Sequence, residues 1–142
     1  MNTGDLRKQI LRALDEARKS STDRRQAMDE ARQAWEQFLE MATPLVKQAA
    51  TILRGEGHLF AANTPADGLR LTSETSPQIY LEFELDVAGV APHVTGRVSY
   101  TKSRQQAVVE EQSLAFGKPV RELNETDVAA YLVTEIPKLI VR

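Results

Sequence analysis

Residues 78–87 read QIYLEFELDV, and their strict alternation of apolar and polar side chains decides the fold class. In an extended strand, successive side chains point to opposite faces, so the apolar set shares one face and the polar set the other. The apolar set is Ile79, Leu81, Phe83, Leu85 and Val87. A sheet with one apolar and one charged face is typical of antiparallel sheets that are covered on one side only. We therefore expect an antiparallel sheet built around this strand.

Similar segments lie on both sides of this strand. Short apolar runs separated by turn sequences such as TPADG at 64–68 predict further strands joined by tight connections. The alternation is weakest in the last of them, which indicates an edge strand or a bulge. The additional strands are predicted at 58–63, 69–73, 93–101 and 106–116. Consecutive strands of this kind predict a five-stranded antiparallel meander.

A helix is predicted after the sheet, beginning at Asn124. Asn is a good N-cap, and Asp127 in the first turn interacts favourably with the helix dipole. Val128, Leu132 and Ile136 give this helix one apolar face, which we expect to pack on the sheet. Pro137 lacks a backbone N–H and predicts a kink or an end near residues 134–135.

Residues 1–54 are dominated by strong helix formers, with Gly4 and Pro44 as the exceptions. They predict either one long helix or a helical hairpin. A hairpin would break at residues 20–23, which read SSTD, or at Thr43-Pro44, because these residue types favour caps and first turns. Both alternatives stay open from the sequence.

Apolar residues recur along this helical half with a period of 3.5, as in a coiled coil. Alanine fills many of these positions, so we expect Trp35, Phe38, Met41 and Leu45 to supply most of the packing. The N-terminal part of the row has no sheet to cover it, and we expect it to bind a second copy of the chain, giving a homodimer. The predicted self-association residues are Leu6, Ile10, Ala13, Ala17, Ala27, Ala31 and Ala34.

The predicted fold class is α+β, with a long N-terminal helix (or helical hairpin), a five-stranded antiparallel meander and a C-terminal helix packed on the sheet. The predicted organisation is a coiled-coil-like helical arm over 1–54, followed by the sheet and its helix over 55–142. We expect the end of the arm to form one compact unit with the sheet.

Composition excludes several classes of chemistry. The chain of 142 residues has no Cys, which rules out disulfides, thiol catalysis and thiolate metal sites. Its two histidines, His58 and His93, have no metal-ligand spacing around them. The sequence also lacks a nucleophile elbow, a P-loop and a dinucleotide fingerprint. We therefore expect a protein that is not an enzyme and that needs no cofactor.

One hairpin carries basic residues interleaved with an aromatic, a pattern that can grip phosphates and stack a base. The possible partner or nucleic-acid contacts are Tyr80, Arg97, Tyr100, Lys102 and Arg104. Four carboxylates are expected on the same sheet face and would repel phosphates: Glu82, Glu84, Glu110 and Glu111. The net charge of −2 also disfavours nucleic acid as the partner. Arg97 is expected to pair across strands with Glu82 or Glu84.

No apolar stretch approaches the roughly 20 residues that span a bilayer, and residues 1–15 lack the apolar core of a secretory signal. We expect a cytoplasmic protein with no membrane contact. The predicted function is assembly: the helical arm self-associates, and the small sheet domain is presented to a protein partner. The alternatives are a small-molecule-binding α+β module and a weak nucleic-acid binder acting through the hairpin at 97–104.

Overall fold

The computed structural model describes residues 2–89, 91–102 and 106–140. These residues form two α-helices, a five-stranded antiparallel sheet and two short 3₁₀ helices, which confirms the predicted α+β class. The helices are α1 (Thr3–Gly55) and α2 (Glu125–Ile140), and the strands are β1 (Phe60–Asn63), β2 (Leu69–Ser73), β3 (Tyr80–Asp86), β4 (His93–Lys102) and β5 (Gln106–Ser113). The 3₁₀ helices are Leu114–Gly117 and Val120–Glu122.

Each strand of the sheet pairs antiparallel with the next strand along the chain, in the order β1-β2-β3-β4-β5. Residues that face each other across two strands point the same way, so the register assigns every side chain to a face. Leu81 is opposite Val98, and both are buried, whereas Glu82 is opposite Arg97 on the other face. The predicted meander is therefore confirmed. We call these two sides the apolar face and the charged face.

Helix α1 is continuous from Thr3 to Gly55, so the hairpin alternative does not occur. At the expected break, Thr22 Oγ1 donates a hydrogen bond to the carbonyl oxygen of Arg18 at 3.0 Å, which lets a hydroxyl stay inside a helix. Pro44 also lies within α1 rather than at a helix start. Local turn chemistry at these two points did not override the helix-forming residues around them.

By its internal contacts the chain divides between Gln33 and Ala34, inside α1. Sequence patterning placed a boundary at 54/55, where helix gives way to strand. The division falls earlier because residues 34–53 of α1 belong to the same buried core as the sheet. The two units are residues up to Gln33 and residues from Ala34 onward.

An aromatic series marks the centre of the second unit's core. Trp35 stacks on Phe38 with ring centroids 5.2 Å apart, and Phe38 meets Phe83 of β3 edge-on at 5.8 Å. Phe83 in turn lies 5.3 Å from the ring of Tyr131 in α2. Trp35 Nε1 donates a hydrogen bond to the carbonyl oxygen of Asp67 at 2.7 Å, so the polar atom of the indole is satisfied. Both helices therefore pack on the apolar face, with Phe83 between them.

The buried row of α1 in this core is not the row expected from the sequence. Trp35 and Phe38 are buried as predicted, but Met41 and Leu45 are only partly buried. Ala42 and Val46 are fully buried in their place. A straight helix turns every 3.6 residues, so its core-facing side drifts away from a 3.5-residue row within a few turns. The 3.5 period therefore does not describe the part of α1 that packs on the sheet.

Helix α2 begins with the predicted cap and continues past the predicted end. Asn124 Oδ1 accepts a hydrogen bond from the N–H of Asp127 at 3.0 Å, and Asp127 Oδ2 accepts one from the N–H of Asn124 at 3.1 Å. This reciprocal arrangement satisfies two donors of the helix start. Of the two alternatives predicted at Pro137, a kink or an end, the end near residues 134–135 does not occur, because α2 includes Pro137 and reaches Ile140. Val133, whose carbonyl loses its helical partner at Pro137, lies on the exposed side of α2.

Candidate interaction surfaces

The first surface is the N-terminal stretch of α1. Every residue from 2 to 30 is exposed, including the large apolar ones. Five large apolar side chains on this stretch are 46% to 55% exposed: Leu6, Ile10, Leu11, Leu14 and Met28. Single exposed apolar residues are normal on a protein surface, but a row of them along one helix is a candidate interaction surface.

The predicted self-association residues divide into two groups. Those nearest the N-terminus are exposed: Leu6, Ile10, Ala13, Ala17 and Ala27. Ala31 and Ala34 are buried within a single copy of the chain, and Ala34 belongs to the core of the second unit. These two alanines are already covered, so they are removed from the candidate surface. The row predicted from the sequence extended too far, because alanines at this spacing suit packing within one chain as well as packing between chains.

The second surface is the charged face of the sheet, centred on Glu82. The side chain of Glu82 is only 8% exposed and lies between two guanidinium groups. Arg70 Nε donates a hydrogen bond to Glu82 Oε2 at 2.6 Å, and Arg97 Nη1 lies 3.6 Å from Glu82 Oε1. Sequence patterning predicted a wet strand face and did not foresee a buried carboxylate, because the covering arginines come from β2 and β4.

Arg97 is the most heavily paired residue of this face. Its Nε donates to Glu111 at 2.8 Å, and its Nη2 donates to Glu84 at 3.0 Å, so the expected pairing across β3 and β4 is present. The hydrogen bond to Glu111, reinforced by Glu84, raises the pKa of Arg97 further above its ordinary value. A phosphate would have to displace these carboxylates to reach the guanidinium. The geometry therefore offers a polar, charge-paired surface rather than an anion site.

The basic hairpin does not form one surface. Tyr80 and Arg97 lie on the charged face, where the Arg70 guanidinium stands 4.0 Å from the centroid of the Tyr80 ring. Tyr100 and Lys102 belong by alternation to the opposite face. Arg104 lies outside the described residues. The register therefore divides Tyr80, Arg97, Tyr100 and Lys102 between the two faces of the sheet.

The four predicted carboxylates are also divided. Glu82, Glu84 and Glu111 line the charged face, but Glu110 is opposite Val98 and lies on the apolar face, beyond its buried centre. Neighbouring residues of one strand point to opposite faces, so Glu110 and Glu111 could not share one. The grouping made from the sequence is corrected on this point.

A third cluster joins β5 to α2 at the rim of the core. Glu110 accepts hydrogen bonds from Tyr100 at 2.9 Å and from Lys138 at 2.8 Å, and Lys138 also lies 2.7 Å from Glu135 Oε2. These bonds lower the pKa of Glu110 and raise that of Lys138. Gln112 Nε2 donates to Glu135 Oε1 at 2.9 Å, which holds the buried Glu135 from the strand side. This cluster was not predicted from the sequence, because the two bonds that join β5 to α2 connect residues 23 and 28 positions apart.

The histidines occupy separate places. His93 Nε2 lies 3.4 Å from Asp86 Oδ2 across the β3–β4 pair, and His58 precedes β1. Within residues 2–89, 91–102 and 106–140, no three His, Cys, Asp or Glu side chains are grouped as metal ligands. Over the same ranges, none of the helices combines the length and the hydropathy needed to cross a membrane.

Comparison of the chain with protein-family models, with curated proteins and with solved structures finds no match.

Proposed function

We propose that this chain is an assembly protein: it self-associates through residues 3–30 of α1 and presents its sheet domain to a protein partner. The observation that carries the proposal is the row of exposed apolar side chains on that stretch. We call this row the association surface; it consists of Leu6, Ile10, Leu14 and Met28, together with the alanines between them. The sheet domain would contribute the charged face, whose rim carboxylates Glu84 and Glu111 are half exposed.

The physical argument begins with helix stability. A helical stretch that buries none of its side chains in the folded chain depends on intrinsic propensity alone, and that is marginal in water. Covering a half-exposed Leu or Ile side chain adds roughly 1 kcal/mol. A second copy offers the same apolar row and therefore covers four large side chains of each helix at once. Small residues such as Ala13, Ala17 and Ala27 let two helices approach closely.

The test is the mass of the full chain in solution, measured by light scattering over a concentration series. We expect the mass of a dimer for the natural sequence and of a monomer for the variant carrying Ile10→Asp and Leu14→Asp. The matched control is Ile52→Asp, which places the same charge on an exposed isoleucine of the same helix outside the association surface. The control is expected to remain a dimer. A monomeric natural chain at the highest concentrations would overturn the proposal, as would dissociation by Ile52→Asp alone.

A further inference from the structure

We infer that the two copies associate in parallel and in register, with an acidic side of each helix against a basic side of the other. This inference rests on the proposed self-association and adds the orientation of the partner. Its basis is the arrangement of exposed charges that border the association surface, which sequence patterning did not use.

The charges lie in two rows with the same seven-residue spacing. Glu16, Asp23 and Glu30 form one row, and Arg18 and Arg25 belong to the other; all of them are exposed. At 3.6 residues per turn, these rows fall roughly 110° to either side of the middle of the association surface. Arg12 lies on the acidic side and Asp29 on the basic side, and each side keeps an excess of one sign. Each helix therefore has a predominantly acidic border on one side of its apolar row and a predominantly basic border on the other.

Symmetry decides which borders meet. In a parallel pair the twofold axis runs along the helices, so each border lies towards the opposite border of the second copy. In an antiparallel pair the twofold axis is perpendicular to the helices, and each border faces the same border of the second chain. Parallel packing therefore places acid against base, whereas antiparallel packing places acid against acid and base against base. The natural charge pattern favours the parallel arrangement.

The register follows from the residues within the row. The large side chains Leu6, Ile10 and Leu14 are concentrated near one end, and they cover one another only when the copies are not shifted. Arg24 interrupts the apolar row, and in register each Arg24 lies beside Asp23 of the other copy. A single polar residue at such a position is a recognised means of fixing register.

The absence of natural cysteine allows a direct test in the full chain. Ala13→Cys and Ala27→Cys each introduce one thiol into the apolar row, 14 residues apart. A disulfide needs Cα atoms about 4.4–6.8 Å apart. In a parallel, in-register dimer each introduced cysteine lies next to the same cysteine of the second chain. Both variants should therefore form covalent dimers under mild oxidation. Thr22→Cys, on the opposite side of the helix, is the control and should form few.

The outcomes separate the orientation from the proposed function. In an antiparallel dimer, at most one of the two positions can lie next to the same position of the second chain. Crosslinking of only one variant therefore overturns the inference. Failure of both variants, in chains that light scattering shows to be dimers, also overturns it while leaving self-association intact. Monomers by light scattering contradict both proposals.

Salt gives an independent readout of the same arrangement. Attraction between unlike borders weakens when salt screens it, so the dimer should dissociate several-fold more readily at high ionic strength. Tighter association at high salt would indicate like charges in contact and would overturn the parallel arrangement.

Discussion

The ring of Tyr131 in α2 lies directly over Gly96 of β4. A Cβ atom at position 96 would stand 2.8 Å from Cε2 of that ring and closer still to its Cζ and hydroxyl oxygen. Contacts this short do not occur between carbon atoms in folded proteins, so only glycine lets α2 approach the strand here. Burial of the ring raises the pKa of the Tyr131 hydroxyl, which stays neutral against the sheet.

Gly96→Ala should therefore lower the free energy of unfolding by about 2 kcal/mol or more, since the methyl group overpacks a filled site. The measurement is urea denaturation. Gly55→Ala is the control: a Cβ at this last residue of α1 meets nothing within 4 Å, and alanine favours helix. Equal stability of the two variants would contradict the role given to Gly96.

Glu82→Gln should lower the free energy of unfolding by about 2 kcal/mol. Removing the charge leaves Arg70 and Arg97 around a neutral side chain that is largely shielded from water. Glu84→Gln is the matched control on the same strand and face. Because the side chain of Glu84 is half exposed, this substitution should lower the free energy of unfolding by less than ~1 kcal/mol. A loss for Glu84→Gln as large as that for Glu82→Gln would show that burial of Glu82 has no energetic effect.

Asp127 should make α2 sensitive to acid. The hydrogen bond from the N–H of Asn124, followed by that from Lys118, lowers the pKa of Asp127. A lowered folded-state pKa stabilises the protein above the unfolded value of about 3.9 and loses that effect as the pH falls through the lowered value. Asp127→Asn should thus be less stable by about 1 kcal/mol at neutral pH and approach the natural chain in acid.

The same pH series on Lys118→Met distinguishes the two partners of Asp127. The backbone N–H has the larger effect on its pKa, so this variant should keep most of the pH dependence. A Lys118→Met variant whose stability no longer changes in acid would mean that the lysine, not the cap, holds the carboxylate.

The 3₁₀ helix that follows β5, Leu114–Gly117, contains backbone strain that glycine can relieve. Ala115 has φ of 47°, and Phe116 and Gly117 follow it with φ of 60° and 86°. For a residue other than glycine, the left-handed conformation is less favourable than the right-handed one by about 1–2 kcal/mol. Ala115→Gly should therefore raise the free energy of unfolding by up to about 1 kcal/mol. Ala61→Gly in β1, a regular strand position, should lower it. Destabilisation by both substitutions would contradict the strain at Ala115.

Arg24→Leu should strengthen the proposed dimer, because it completes the apolar row. We expect the dissociation constant to fall by about tenfold or more, as burial of one large apolar side chain in each copy implies. Lys8→Leu, on the opposite side of the helix from the row, should leave the dissociation constant unchanged. Sedimentation equilibrium measures both, and weaker association of Arg24→Leu would place Arg24 outside the interface.

The elements of this fold could be predicted because their signals are local. Alternation over 78–87 predicted β3, and the side chains of Asn124 and Asp127 predicted the start of α2. The end of α2 was missed because tolerance of Pro137 depends on what surrounds the helix. The switch of α1 from a 3.5-residue row to core packing at Ala42 and Val46 depends on the sheet beneath it.

The candidate surfaces were predicted less completely, for a related reason. The apolar row of α1 is a property of one segment and was found. Burial of Glu82 depends on Arg70 and Arg97 from the neighbouring strands. Burial of Glu135 depends on the hydrogen bond that Gln112 of β5 donates to it. Such groupings depend on register and on helix placement, neither of which a residue pattern specifies.

The succession of the strands sets the order in which the protein can assemble during synthesis. Every hairpin of the sheet joins neighbours in the chain, so each can close over a short loop as it leaves the ribosome. Helix α2, which packs on β3 and β4, is translated after them all. Until residues 125–140 emerge, α2 is absent, and the apolar face of the sheet around Val94 and Val98 is not yet covered by it. A nascent chain that stops at this stage exposes that apolar surface to solvent.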